Sequence, residues 1–167
     1  MKKVKLFAAV LFLTVVAVKY VFAGAPLTNL EGVGGVAFNP LAYLADSDGT
    51  ESHLKIGDTD VAGKPRFGAW YVSLSNVNVD WTAIGISDTF FNRLEVSYGY
   101  ETVNQDNATA KHKNNIGAKL LILPENYAGA KFLPAVSIGA IWKQTSNVGT
   151  GVDDNAFDYY AVATKLV

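Results

Sequence analysis

The sequence predicts an all-β fold, an antiparallel up-and-down meander preceded by a helical signal peptide. Three observations carry this. Residues 93–104 put Leu94, Val96, Tyr98 and Tyr100 on one side and Arg93, Glu95, Ser97, Gly99 and Glu101 on the other, the period-2 alternation of a strand with one apolar and one wet face. No helical period of useful length lies between the alternating segments, which excludes a βαβ architecture. Finally, Lys2, Lys3 and Lys5 precede a run, residues 6–18, that is apolar except for Thr14, and Val21-Phe22-Ala23 ends it as a cleavage site. Cleavage is expected after Ala23. Lys19 interrupts the run before it reaches the roughly 20 apolar residues of a spanning helix.

The chain divides into a signal peptide (1–23), a glycine-rich lead-in with an acidic loop (24–64) and a β-meander (65–167). Residues 24–35 hold Gly32, Gly34 and Gly35 and alternate poorly, as an extended lead-in, a plug, or a first strand with close backbone approach would. Residues 36–45 contain a short strand or a helical turn after Pro40. Residues 46–64 carry Asp46, Asp48, Glu51, Asp58 and Asp60 and read as a loop, with brief pairing at 53–56.

From Pro65 the pattern becomes regular. Residues 67–75 oppose Trp70, Val72 and Leu74 to Ala69, Tyr71 and Ser73, and Asn76 marks a tight turn. Residues 77–87 form the next strand, and residues 88–92 turn into the strand 93–104. Residues 105–113, with Asp106-Asn107, read as a loop. Strand 114–123 ends at Pro124, which cannot join a central ladder. Strands 133–145 and 157–167 follow, separated by loops at 125–131 and 149–155. Six clear strands and one doubtful strand result.

Strands with an apolar row on one side and charges on the other suit the wall of a bacterial outer-membrane β-barrel, in which successive side chains alternate between lipid and lumen. Trp70, Trp81, Tyr98, Tyr100, Trp142 and Tyr160 fall near strand ends and suit interfacial girdles; filling the core of a soluble β-sandwich is the alternative role for these rings. The absence of cysteine fits an exported barrel that closes its own edges without disulfides. The 14 basic and 15 acidic residues become ten and fifteen once Lys2, Lys3, Lys5 and Lys19 leave with the signal, so the mature chain carries −5 and has no basic nucleic-acid footprint.

Residues 68–77 (GAWYVSLSNV), 83–88 (AIGISD), 92–101 (NRLEVSYGYE), 115–121 (NIGAKLL) and 132–143 (FLPAVSIGAIWK), with the lead-in 31–42 (EGVGGVAFNPLA), resemble the bacterial exported family called domain of unknown function 3034. The resemblance covers most of residues 31–167. It implies an outer-membrane barrel, with outer-membrane lipid and the barrel-assembly machinery as partners, and brings no catalytic or binding residue. It also implies a longer wall, because about six or seven strands fall short of the roughly 8 of the smallest bacterial barrels and Lys165-Leu166-Val167 lacks a terminal aromatic. The expectation is a fragment of a barrel whose unpaired edges oligomerise or aggregate.

Candidate chemistry is sparse. His53 and His112 are both expected in loops without a second His or Cys at ligand spacing, and Asp46-Ser47-Asp48-Gly49 and Val152-Asp153-Asp154-Asn155 lack the ordered ligands of a calcium loop. No serine sits in a nucleophile elbow, and Gly32, Gly34 and Gly35 do not open a helix as a phosphate cradle does. No enzyme activity, cofactor or metal is expected. The residues of interest are Arg93, Glu95, Glu101, Lys119, Lys143 and Lys165, expected on the lumen face. They either line a hydrated pore for passive permeation of small solutes or neutralise one another in a filled, nonconducting interior. The second alternative makes the chain a structural or surface-interaction barrel, with loops 46–64, 105–113 and 149–155 meeting other surface components.

Overall fold

The computed structural model describes residues 28–36, 38–45 and 54–166. The signal peptide, residues 46–53 with Ser52 and His53, and Val167 lie outside them. The described chain is mostly antiparallel β-sheet and contains no α-helix.

A two-residue hairpin, β1 (Gly35–Val36) and β2 (Asn39–Pro40), stands apart from the main sheet. The main sheet holds β3 (Leu54–Ile56), β4 (Thr59–Ala62), β5 (Arg66–Leu74), β6 (Val79–Phe90), β7 (Leu94–Gln105), β8 (Lys111–Leu123), β9 (Ala135–Thr145) and β10 (Asn155–Thr164). Neighbours in sequence are neighbours in space from β5 to β10, the up-and-down order expected of short connections. Both β4 and β5 pair with the same edge of β6, through Ala62 opposite Phe90 and Arg66 opposite Ser87, and β3 pairs with β4. Among the described residues no ladder joins β10 to β5.

Turn chemistry sets the register. Asn78, at φ 50°, closes the 3₁₀ turn at Ser75–Val77. Phe91 and Asn92 both have positive φ, 54° and 53°, and the Arg93 amide donates to Phe90 O at 3.0 Å, which makes a type I′ hairpin turn. That turn starts later than residue 88, because Asp88, Thr89 and Phe90 keep their ladder partners Val96, Glu95 and Leu94. Lys111, His112 and Lys113 belong to β8 rather than to a loop, since Val103, Thr102 and Glu101 of β7 pair with them. Polar side chains did not end this strand while the neighbouring ladder continued. The brief pairing placed at 53–56 is a hairpin of β3 and β4 inside the expected loop.

The sheet has two unlike faces. One is open and carries Phe67, Tyr71, Ile84, Ile86, Val96, Tyr98, Ile116, Leu120, Ile138 and Tyr159, with exposures of 70% at Phe67 and 79% at Tyr159. The other is covered by a strap made of residues 28–36 and 38–45. Buried on the covered side are Ser87, Thr89, Glu95, Ser97, Glu101, Asn115, Lys119 and Ser137, along with Leu30, Val33, Ala42, Leu44 and Ala45 of the strap. Covered residues are therefore largely polar and open residues largely apolar.

Residues 41–45 form neither a strand nor a helical turn; they bend across the sheet. Their backbone groups are satisfied by side chains of the sheet instead of by a ladder, as described below. The girdle expectation needs a correction for three rings. Trp70 and Trp81 face the strap, with Trp70 Nε1 donating to Thr28 O at 2.8 Å and Trp81 packed against Phe38 at 5.7 Å between ring centroids. Tyr160 also lies on the covered side, over Gly139. These rings share a face with small residues, which leave room for them; Tyr98 is on the open face.

Candidate functional site

The strap can lie against the sheet because of a lane of glycines. Gly68, Gly85 and Gly99 are direct cross-strand partners on β5, β6 and β7. A Cβ on Gly85 would stand 2.6 Å from Gly32 Cα, one on Gly99 would meet Glu31 O and one on Gly68 would meet Thr28 Oγ1. Residues 28–32 fill the lane. Gly32, at φ 85°, makes the turn there, and the Asn29 side chain holds it by accepting from the Glu31 amide at 2.9 Å and the Val33 amide at 3.0 Å.

At the centre sits Lys119 on β8, whose side chain is 0% exposed. Its ammonium reaches Glu95 Oε2 of β7 at 2.9 Å and donates to the carbonyls of Gly34 at 2.9 Å, Leu41 at 3.1 Å and Tyr43 at 2.7 Å. The other Glu95 oxygen accepts from the Gly34 amide at 2.7 Å. Lys119 and Glu95 are direct cross-strand register partners. One ion pair thus neutralises two buried charges and ties the strap at Gly34, Leu41 and Tyr43.

A second cluster surrounds Glu31 of the strap. Its carboxylate pairs with Lys143 of β9 and with Lys113 of β8 at 3.3 Å, while Lys113 also reaches Glu101 at 3.1 Å. Lys143 pairs with Asp158 of β10, and Asn115 donates to Glu101. A third cluster fixes the far end of the strap. Ser137 donates to Ala42 O at 2.6 Å, Ala42 N donates to Thr164 Oγ1 at 2.9 Å, and Arg66 Nε donates to Ala45 O at 3.0 Å. Tyr43 hydroxyl donates to Glu125 Oε2 at 2.8 Å, and Lys165 meets Glu125 at 2.7 Å. Burial, helped by the Glu125 carboxylate, pushes the Tyr43 hydroxyl up to about 12. Hydrogen bonds from Lys165 and from Tyr43 hold the Glu125 carboxyl below its ordinary value.

Of the six charged residues singled out, the structure gathers Glu95, Glu101, Lys119 and Lys143 on the covered face. Arg93 is an exposed turn residue whose guanidinium donates to Leu121 O at 3.3 Å. Lys165 lies beyond the end of β10, and the row it was grouped with, Tyr159, Ala161 and Ala163, is the open one; its ammonium turns back to Glu125 and Asn126. Sequence reasoning missed Glu31, Asn115 and the hydroxyls of Ser137 and Thr164. The signal that would have found the lane is one glycine at matched depth on each of three successive strands.

His112 lies on the open face, where its Nδ1 is 2.9 Å from Tyr100 hydroxyl and the two rings stack at 5.9 Å. Among the described residues no group of three or more His, Cys, Asp or Glu side chains is placed to hold a metal ion. The open face also bears a groove of about 400 Å³ between Leu94, Ala118, Leu120, Ile138, Ala140 and Tyr159. Comparison with family models, with curated proteins and with solved structures finds no match.

Proposed function

We propose that the chain is part of the wall of an outer-membrane β-barrel whose polar interior is filled by its own strap, a structural or surface-interaction barrel component rather than an open pore. The observation that carries this is the inverted distribution of the two faces. A sheet of a soluble protein buries its apolar side, and large exposed apolar patches are rare on monomers. Here the buried side holds Glu95, Glu101 and Lys119, and the open side holds the apolar rows. Lipid is the solvent that suits such an open face, and β6 to β10, at 10–13 residues, match the roughly 9–11 residues that a tilted strand needs to cross a bilayer. Export after cleavage at Ala23 and the resemblance to domain of unknown function 3034 belong to the same reading.

The filled interior is supported by the pinning of the strap from five strands: Trp70 and Arg66 on β5, Glu95 on β7, Lys119 on β8, Ser137 on β9 and Thr164 on β10. Passive permeation of small solutes keeps one observation in its favour. Among the described residues the hydroxyls of Ser87, Thr89 and Tyr160 are buried without a protein hydrogen-bond partner, the character of a surface that binds water. Planar bilayers separate the two readings. The filled reading expects the inserted protein to pass no steady ionic current; stable ohmic steps from the unmodified chain would sink it and restore the pore.

A further inference from the structure

We infer that the open face holds one anionic glycerophospholipid at a fixed place, its phosphate on the Arg93 guanidinium and one acyl chain in the groove floored by Ala118 and Ala140. The inference rests on the membrane-wall reading and adds to it a bound ligand of one chemical class.

The groove comes from side-chain size. Ala118 of β8 and Ala140 of β9 are direct register partners, and Tyr159 of β10 stands opposite Ala140 in the same row. The next row toward the Arg93 end is Leu94, Leu120 and Ile138, also direct partners. Two adjacent methyl groups thus lie between larger side chains and leave a depression of about 400 Å³. That is within the range of roughly 300–1,000 Å³ of small-molecule sites. Its walls are apolar, so it offers an acyl chain dispersion contacts along its length.

A cation marks one end of the groove. Arg93 precedes Leu94, and its guanidinium lies across the end of β8, where Nη1 donates to Leu121 O at 3.3 Å and approaches Ile122 O at 3.5 Å. Among the described residues no carboxylate pairs with it, and its Nε and Nη2 donors have no partner. The nearby Asp60 is taken by Lys55 and by the Asn92 side-chain amide. Lys131, exposed beside Phe132 in the β8–β9 connection at the same end, makes no ion pair among the described residues either. A planar guanidinium with unused N–H groups is the side chain best fitted to a phosphate. Phe91 and Phe132 stand exposed at this end, where aromatic rings meet the headgroup level of a bilayer.

Depth connects cation and groove. Ala118 lies three to four residues down β8 from Leu121 and Ile122, roughly 10–13 Å along the strand and about 7–9 Å in depth at a tilt of about 45°. The headgroup region on each side of a bilayer is about 5–8 Å thick. A lipid whose phosphate rests on Arg93 therefore enters the hydrocarbon where the groove lies. The uncompensated cation favours a lipid of net negative charge over a zwitterionic one, which carries its own ammonium. One guanidinium above one groove suits one phosphate and one ordered chain, not the several phosphates and chains of a lipid A.

The test is native mass measurement of the full chain refolded in detergent and titrated with phosphatidylglycerol, phosphatidylcholine, lipid A or inorganic phosphate. Expected is one phosphatidylglycerol per chain, bound about tenfold more tightly than phosphatidylcholine. Arg93→Gln is expected to remove that preference. Ala118→Phe, which fills the groove from an exposed position, is expected to weaken both lipids about tenfold. Lys111→Gln, at the far end of β8, is expected to change neither, with the strands of all three variants intact by circular dichroism. Equal binding of the two glycerophospholipids, tighter binding of lipid A, or a preference that survives Arg93→Gln overturns the inference. So does binding of inorganic phosphate at Arg93 with no effect of Ala118→Phe on either lipid, which would leave a bare anion site. In each of these cases bilayer insertion leaves the wall reading standing. Recovery of the chain in the aqueous phase without detergent overturns both.

Discussion

Lys119 decides how the strap is held. Its charge is removed from water, and four oxygens of Glu95, Gly34, Leu41 and Tyr43 replace the lost hydration. Removing one member of such a pair leaves the other charge buried alone, which costs about 3–5 kcal/mol. Lys119→Met is therefore expected to lower unfolding stability by that amount in urea titrations of the refolded protein, and adding Glu95→Gln is expected to recover part of it. A double-variant loss equal to the sum of the Lys119→Met and Glu95→Gln losses would show that the ion pair carries no coupling. At the strap's other end, the Tyr43, Glu125 and Lys165 cluster gives a pH dependence whose sign follows from the two shifts. The depressed Glu125 carboxyl contributes stability that is present above its ordinary value of 4.5 and is lost as pH falls through the lower folded value. The raised Tyr43 hydroxyl contributes stability present below 10, lost as pH rises from there through about 12. Amide-exchange protection around Ala42, corrected for the intrinsic pH dependence of exchange, is expected to be greatest between these limits and to fall outside both; a flat protection profile would remove the cluster from the latch.

The strap shows what can and what cannot be read from sequence at the scale of one element. The six long strands were legible because a sheet with unlike faces writes period 2 into the chain, and the parity of Glu95, Glu101, Lys119 and Lys143 was legible for the same reason. Strand ends were not, as at Asp88 and His112, because a ladder partner on the next strand, not local polarity, decides where pairing stops. Nor was the course of residues 41–45, because their carbonyls and amides bind side chains of Lys119, Ser137, Thr164 and Arg66, groups up to 122 residues away that leave no periodic trace. The lead-in's glycines pointed to close backbone approach; the matching glycines that receive it lie on three other strands. Gly85→Val tests that fit. Its side chain would occupy the space of Gly32, and overpacking of this kind costs about 1–3 kcal/mol. Limited proteolysis is expected to cut within 28–45 in the variant and to spare the strap in the parent chain, with the strands intact by circular dichroism. An unchanged cleavage pattern would mean that the lane does not hold the strap.

Across the whole molecule the arrangement is inside-out, with charge and hydroxyls beneath the strap and aliphatic and aromatic side chains facing outward. Tyrosines on the open face have polar partners toward one end, Tyr71 with Asp80 at 2.9 Å and Tyr98 with Asn114 at 2.7 Å, while Phe91 and Phe132 stand exposed at the opposite end. Aromatic residues at both margins of an apolar band are what the two interfaces of a bilayer favour. That is the physical content of the membrane-wall account, and it makes a residue-by-residue prediction about solvent. The most direct measurement is nitroxide accessibility along β8 of the protein refolded into lipid vesicles, with single cysteines labelled at Ile116, Ala118 and Leu120. The account predicts that all three are relaxed by oxygen, which partitions into lipid, and shielded from a water-soluble nickel reagent, with the deepest position most shielded. Ready access of the nickel reagent at Ile116, Ala118 and Leu120 would contradict it.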